Sequence, residues 1–437
     1  MRRRRLIDPL RRPLFRRLAA TYTVNELGDW MGIVALSVLV FERTDSALAT
    51  AALFLGTRFL PALLAPILVT RAERPPPRYA LPLIYCGEAA AFGTLALLAG
   101  TDNFSLPAVI AVATLDGALA LAGRALTRAV VAAELEPAGE LRAGNALLNV
   151  AFTGGAALGP GLAGLIVAGF GVQTALLLDA VSFYVIAWIL LTAGPMPQAE
   201  PEAGRMRDRV RAGVAYIREK VVLRRLLLAQ GAAFVFFAAV IPVEVVYAKE
   251  TLGAGDSGYG LMLASWGVGM VLGSLVFAAV RRASLALLLF FSTIAVGAGY
   301  LGMAAAPTLA AACAASVLGG TGNGVQWVST ISAVQEMTAP GMQARVMSVL
   351  ESIGAAMPGL GFVLGGVVAA VLSPRTAFLV AGLGVLGIVV VVAPILGSKW
   401  PERVATSGSY PLDADNDVVL ELIPGSRPVQ SDSEVLP

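Results

Sequence analysis

The chain has no histidine and only two cysteines among its 437 residues. The first absence excludes histidine-ligated metal centres, Ser-His-Asp and Cys-His catalysis, and any histidine proton relay. Cys86 and Cys313 lie in separate apolar segments without metal-binding or redox spacing, and they read as small buried hydrophobes. Charge is scarce too. Asp, Glu, Lys and Arg make up 14% of the chain, against roughly 25% in a soluble domain. There is no Gly-x-x-x-x-Gly-Lys-Ser/Thr loop to cradle a nucleotide phosphate. No nucleophile–base pair or soluble catalytic domain is visible. These gaps argue against an enzyme, a resident metal or cofactor, and a nucleic-acid partner.

What is present is apolar. The AVILMFWYC fraction is 57%, the mean hydropathy is +0.77, and 47 residues are glycine. A water-soluble chain of this length would have to expose much of that surface, whereas lipid would solvate it, and glycine lets helices approach closely in a bilayer. A helix crossing the hydrocarbon needs about 20 mostly apolar residues. Twelve runs fit: 18–41, 47–69, 79–99, 106–126, 146–170, 174–193, 226–248, 259–280, 285–306, 309–334, 346–372 and 376–396.

Basic residues orient them. Arg2, Arg3, Arg4, Arg5, Arg11, Arg12, Arg16 and Arg17 precede the first run, and the stretch 194–225 carries Arg205, Arg207, Arg209, Arg211, Arg218, Lys220, Arg224 and Arg225. Even-numbered loops add Arg71, Arg74, Arg78, Arg128, Arg142, Arg281, Arg282 and Arg345, while odd-numbered loops hold only Arg43, Lys249 and Arg375. Both termini and the central loop are therefore expected in the cytoplasm. The first run is full-length and holds Glu26 and Asp29, so it reads as a span and not as a cleaved signal. Val210, Val214, Ile217 and Val221 recur at helical spacing among basic residues, which predicts a surface helix on anionic headgroups or a solvated linker.

The expected organisation is a basic cytoplasmic N-terminus at 1–17, a six-helix half at 18–193, a central loop at 194–225, a second six-helix half at 226–396, and a disordered acidic cytoplasmic tail at 397–437. The halves echo each other. Asp45-Ser46 precedes Arg71 by the distance at which Asp256-Ser257 precedes Arg282, and Thr127, Pro137 and Arg142 match Thr330, Pro340 and Arg345 in spacing. Parallel repeats of six helices are common among secondary transporters, with the substrate site between them near the midplane.

These residues resemble the major facilitator superfamily, and within it the bacterial exporter branch that contains the enterobactin exporter and macrolide efflux proteins. The resemblance covers about residues 14–396. It rests on Gly28-Asp29-Trp30, the turn from Phe41 to Ala49, Arg58 before Leu60-Pro61, the Pro137/Arg142/Asn145 stretch, Asp179 before Ser182-Phe183, and Gln335/Pro340/Arg345. It implies an all-α membrane protein of twelve transmembrane helices in two pseudo-symmetric halves. In the fifth span, Gly155-x-x-x-Gly159-Pro160-x-x-x-Gly164 looks like the motif associated with antiporters. The loop after the second span usually reads Gly-x-x-x-Asp-Arg-x-Gly-Arg in this family; here it is Pro66-x-x-x-Thr70-Arg71-x-Glu73-Arg74. Arg71 and Arg74 survive as candidates for the cytoplasmic gate, while the family's acid is lost.

Charges inside spans are expensive and usually face a cavity or one another. Glu26 and Asp29 sit about one turn apart on span 1 with Tyr22 and Asn25; Arg58, Glu88 and Asp116 lie at similar depth on spans 2, 3 and 4. Without histidine, only a carboxyl group can exchange protons near neutrality, so Asp29, Glu26, Asn25, Arg58, Glu88 and Asp116 form the candidate coupling cavity. The rival reading is a permanent pair of Arg58 with Glu26 or Asp29. Arg124 is expected to snorkel towards the headgroups. Asp179 is expected to lie shallower, and Glu244 near a helix end.

The resulting expectation is a monomeric, multi-pass exporter of the bacterial cytoplasmic membrane, of the drug-resistance type. It would exchange protons for a small amphipathic drug, siderophore or secondary metabolite by alternating access, with membrane lipids as its solvent. An importer, an uncoupled facilitator or a lipid flippase on the same fold is the first alternative, and a non-transporting membrane protein the remote one.

Overall fold

The computed structural model describes residues 7–63, 71, 75–101, 104–197, 206–280, 283–339 and 342–398. The described residues form one compact unit. The expectations for Arg74, for most of the loop before it and for the acidic tail fall outside the described residues. Arg71 is described and exposed.

Every regular element among the described residues is helical. The first long helix, α1 (Pro13–Thr44), starts on a proline whose missing N–H costs nothing in a first turn, and ends where Asp45 turns left-handed at φ 49°. Ser46 then caps α2 (Ala47–Phe54), accepting the Ala49 N–H at 3.3 Å. Two residues between helices leave room only for a sharp reversal. From Leu55 to Phe59 the chain widens into one π turn before helix resumes. There follow α3 (Pro77–Gly100), α4 (Leu106–Leu135), α5 (Leu141–Phe170) and α6 (Val172–Leu191). Gly171, at φ +82°, makes the α5–α6 link, a conformation that a residue with Cβ adopts only under strain.

The central stretch holds α7 (Met206–Glu219). Its apolar side packs on protein and not on headgroups alone: Ile217 is buried with Leu223, Met337 and Val346, and the Tyr216 hydroxyl accepts the Ala339 N–H at 3.1 Å. Next come α8 (Val221–Val240), α9 (Gly255–Ala279), α10 (Leu285–Ala305), α11 (Leu309–Glu336), α12 (Gln343–Val371) and α13 (Pro374–Ser398). After α8 the chain tightens to a 3-10 turn at Ile241–Val243, around Pro242, and then widens to a π turn at Tyr247–Thr251.

Among the described residues, the stretches covered by the apolar runs are helical almost throughout. Among the described residues nine helices are long and apolar enough to cross a membrane, with shorter apolar helices at Ala47–Leu63 and Pro374–Val390. Helix α11, rich in Gly, Ser and Thr, is not one of the nine. Outward faces are apolar: Leu83, Phe170, Val371 and Val390 are each at least 74% exposed. A bilayer accepts such a surface and water does not.

Candidate functional site

The charged residues converge inside the N-terminal helices. On α1, Asn25 and Asp29 are one turn apart, and the Asn25 amide donates to Asp29 Oδ2 at 3.3 Å. The same oxygen receives Arg124 Nη1 of α4 at 2.5 Å. Asp116 is two turns before Arg124 on α4, and its Oδ1 is buried without a hydrogen-bond partner among the described residues. Glu88 of α3 is fully buried; both its oxygens lack such a partner, and one faces Gly123, the residue before Arg124. Glu26 is also buried, with Oε1 unpartnered among the described residues.

Arg58 enters by a different route. The π turn in α2 includes it, and such turns shift side chains off the regular helical face. Arg58 is exposed and forms no ion pair among the described residues. It lines, with Asp29, Asp116, Arg124, Ser37 and Thr57, a cavity of about 50 Å³ whose wall comes entirely from α1 to α4 and the π turn. That is room for a few water molecules.

The rival reading paired Asp29 or Glu26 with Arg58; the structure brings a different cation to Asp29. Arg124, not Arg58, pairs with Asp29. The reason is the length of α4. The apolar run ends at 126, which puts Arg124 at a helix end, but the helix continues to Leu135 and keeps Arg124 inside the bundle. The site also reaches α6. Gly28 and Gly32, one turn apart on α1, form a groove that receives the Asp179 carboxyl of α6 and the Phe92 ring of α3; a Cβ on Gly32 would meet Phe92 at 2.5 Å. Asp179 is buried, with Ser182 donating to its Oδ1 at 3.2 Å and Oδ2 unpartnered among the described residues. The Gly28/Gly32 interval was the signal that could have assigned it to this cluster.

The glycine motif of α5 contacts two helices. A Cβ on Gly155 would touch Glu26 at 3.0 Å and one on Gly159 would touch Trp30 at 2.6 Å, both on α1; one on Gly164 would meet the Gly260 Cα of α9 at 2.9 Å. Pro160 lies inside the helix between them. Helices α5 and α9 thus touch backbone to backbone here, while α2 meets α12 through side chains, with the Phe54 and Phe362 rings 5.5 Å apart. At the end that the arginine pattern assigns to the outside, Lys249 Nζ joins Glu42 Oε1 at 2.7 Å and Asp256 Oδ1 at 2.8 Å. This links α1 to the α8 extension and α9. Among the described residues, no ion pair joins the N- and C-terminal helices at the opposite end; Arg12 there bonds Glu140 at 2.8 Å and Glu134 at 3.4 Å, all within the N-terminal half. Glu244, in the broken part of the α8 segment, is 8% exposed and more enclosed than a helix-end position suggests.

Known proteins fit this architecture. The sequence model of the family described as transmembrane secretion effector matches residues 6–417. Among solved structures, the nucleoside transporter NupG superposes with a TM-score of 0.70 at 12% identity, covering 88% of this chain and 100% of its own. A bacterial homologue of the iron transporter ferroportin, in an inward-facing state, gives 0.70 at 15% identity over 88% and 98%. A bacterial homologue of the human lysosomal transporter Spinster, inward-facing and occupied, gives 0.67 at 13% over 89% and 96%. At such identities the likeness concerns the fold, that of major facilitator transporters. No curated protein sequence matches the chain.

Proposed function

This chain belongs to the transmembrane secretion effector family, of the major facilitator type, and from that membership we propose that it is a proton-coupled exporter of a small amphipathic molecule. Two six-helix halves rock about the α5–α9 and α2–α12 contacts, in the cytoplasmic membrane of a bacterium and with both termini inside. The family's description, a secretion effector, supports the outward direction.

One observation carries the coupling: the Asp29–Arg124 ion pair lies beside Glu88 and Asp116, carboxyl groups with no hydrogen-bond partner for Glu88 Oε1, Glu88 Oε2 or Asp116 Oδ1 among the described residues. Two arginines, Arg58 and Arg124, stand against Glu26, Asp29, Glu88 and Asp116, so protein cations balance only part of the acid charge. A proton is the smallest ligand that can balance the rest in a low-dielectric bundle. Proton entry supplies about 2.3 kcal/mol per 100 mV of potential. Rearranging the Asp29–Arg124 pair as a proton arrives links protonation to helix position. The Lys249 bridge and the glycine contacts support a state closed on the outside, in which the cavity awaits cargo from within.

Import, uncoupled facilitation or lipid flipping on the same scaffold is the second reading, favoured by Thr70 standing where the family's loop has its acid. Accumulation of a panel of fluorescent dyes in cells expressing the protein separates the two. Lowered accumulation that a protonophore reverses, and that Asp29→Asn removes, supports coupled export; accumulation that rises on expression, or that no protonophore touches, sinks it.

A further inference from the structure

The C-terminal half holds a second cavity, also of about 50 Å³, between α8, α10, α11 and α13. Among the described residues, no Asp, Glu, Lys or Arg lines it. Its polar walls are Gln230, Thr293 and Gln326, and the rest is apolar, including Phe290. Two hydrogen bonds organise it: Gln326 Nε2 donates to Thr293 Oγ1 at 3.0 Å, and Gln230 Oε1 accepts from Thr330 Oγ1 at 3.1 Å.

Each glutamine thus spends one atom of its amide on a neighbouring helix and has another without a protein partner among the described residues. Gln230 keeps its amide nitrogen and Gln326 its carbonyl oxygen. Polar stapling of helices explains the bonded atoms. It does not explain why both glutamines line one cavity, since a threonine would staple as well and expose less. Nearby, Phe234, one turn along α8 from Gln230, has its ring 6.3 Å from Trp327, which follows Gln326 and is 43% exposed. That pair offers an apolar platform beside the polar pocket.

We propose that this cavity binds a neutral amide- or hydroxyl-bearing group of an amphipathic ligand, with Gln230 as donor and Gln326 as acceptor. An uncharged wall gives no counter-ion to an ammonium or carboxylate, whose burial there would be costly. A paired donor and acceptor match an amide edge or a hydroxyl. The volume suits one functional group and not a whole drug-sized molecule. The use of this site for cargo rests on the export reading above; its existence as a binding site does not.

Equilibrium binding of radiolabelled chloramphenicol, a neutral amide with two hydroxyls, to the purified full-length chain in nanodiscs tests it, with ethidium as the cationic control. Wild type binds chloramphenicol saturably; Gln230→Leu and Gln326→Leu each weaken it about three- to tenfold. Ser265→Ala, on α9 and outside the cavity lining, changes affinity less than twofold. Gln326→Met serves where the leucine variant loses its thermal transition. Absence of saturable chloramphenicol binding, binding that survives both glutamine substitutions in folded protein, or an equal loss in Ser265→Ala overturns the proposal. Failure of the dye-accumulation experiment with glutamine-dependent binding intact would sink the export reading alone.

Discussion

The two ends of the chain build the same kind of helix contact from opposite chemistry. The offset that aligns Thr127 with Thr330 also aligns Gly123 with Gln326 and Arg124 with Trp327. In the N-terminal half, that position of α4 faces the buried Glu88 of α3; in the C-terminal half, the matching position of α11 supplies a glutamine that bonds Thr293 of α10. An ionisable carboxyl on one side corresponds to an amide and a hydroxyl on the other. Where the N-terminal half carries the Asp29–Arg124 ion pair, the C-terminal half carries the Trp327 and Phe234 rings. On the two proposals above, the difference is a division of labour: one half would move charge, and the other would hold something uncharged.

Five substitutions break or sharpen that contrast. Arg124→Gln leaves the partly buried Asp29 without its cation, and since loss of one partner from a fully buried pair costs about 3–5 kcal/mol, the loss here should approach but not exceed that range, read as a fall in the thermal transition in detergent. Adding Asp29→Asn should recover most of the loss, a coupling that a double-mutant cycle reads directly. Thr293→Glu installs in the C-terminal half the acid that the other half tolerates. No arginine lines that cavity, and the cost is about 2.5–3.5 kcal/mol at mid-span by analogy with insertion scales, seen as reduced folded yield.

Glu88→Gln should leave folding intact, because neither carboxyl oxygen has a hydrogen bond among the described residues to lose, yet reduce protonophore-sensitive dye export at least about tenfold, equivalent to about 1.4 kcal/mol. The smallest effect belongs to Lys249→Met. Its partners are partly exposed, so the bridge is worth about 0.5–1 kcal/mol, and distances between spin labels on the outer ends of α1 and α9 should broaden towards an open population.

The positions of the helices were legible because lipid demands long apolar runs, and the described parts of those runs are helical almost throughout. Their ends were less so. Residues 127–135 of α4 mix Thr, Arg and Glu with Ala and Val, which stops an apolar run but not a helix, and that misplaced Arg124. The Asn25/Glu26/Asp29 face followed from helical spacing. Its partner did not, since the choice between Arg58 and Arg124 depends on how α2 and α4 are rotated, and a π turn in α2 alters that rotation locally. Asp179 was missed for a similar reason: its depth along α6 says little until Gly28 and Gly32 are seen to make room for it. The C-terminal cavity left no trace in charge, and glutamine and threonine in a span read first as packing.

The central claim is that coupling resides in the carboxyl groups of the N-terminal half. Its most direct test is proton movement in pyranine-loaded proteoliposomes, driven by the panel dye that the protein exports best, in wild type, Glu88→Gln, Asp116→Asn and the C-terminal control Glu244→Gln. The account predicts that dye-driven pH change is lost or reduced at least about tenfold in the first two variants and stays within about twofold of wild type in Glu244→Gln. Full proton movement in both N-terminal variants, or its loss in Glu244→Gln alone, would contradict it.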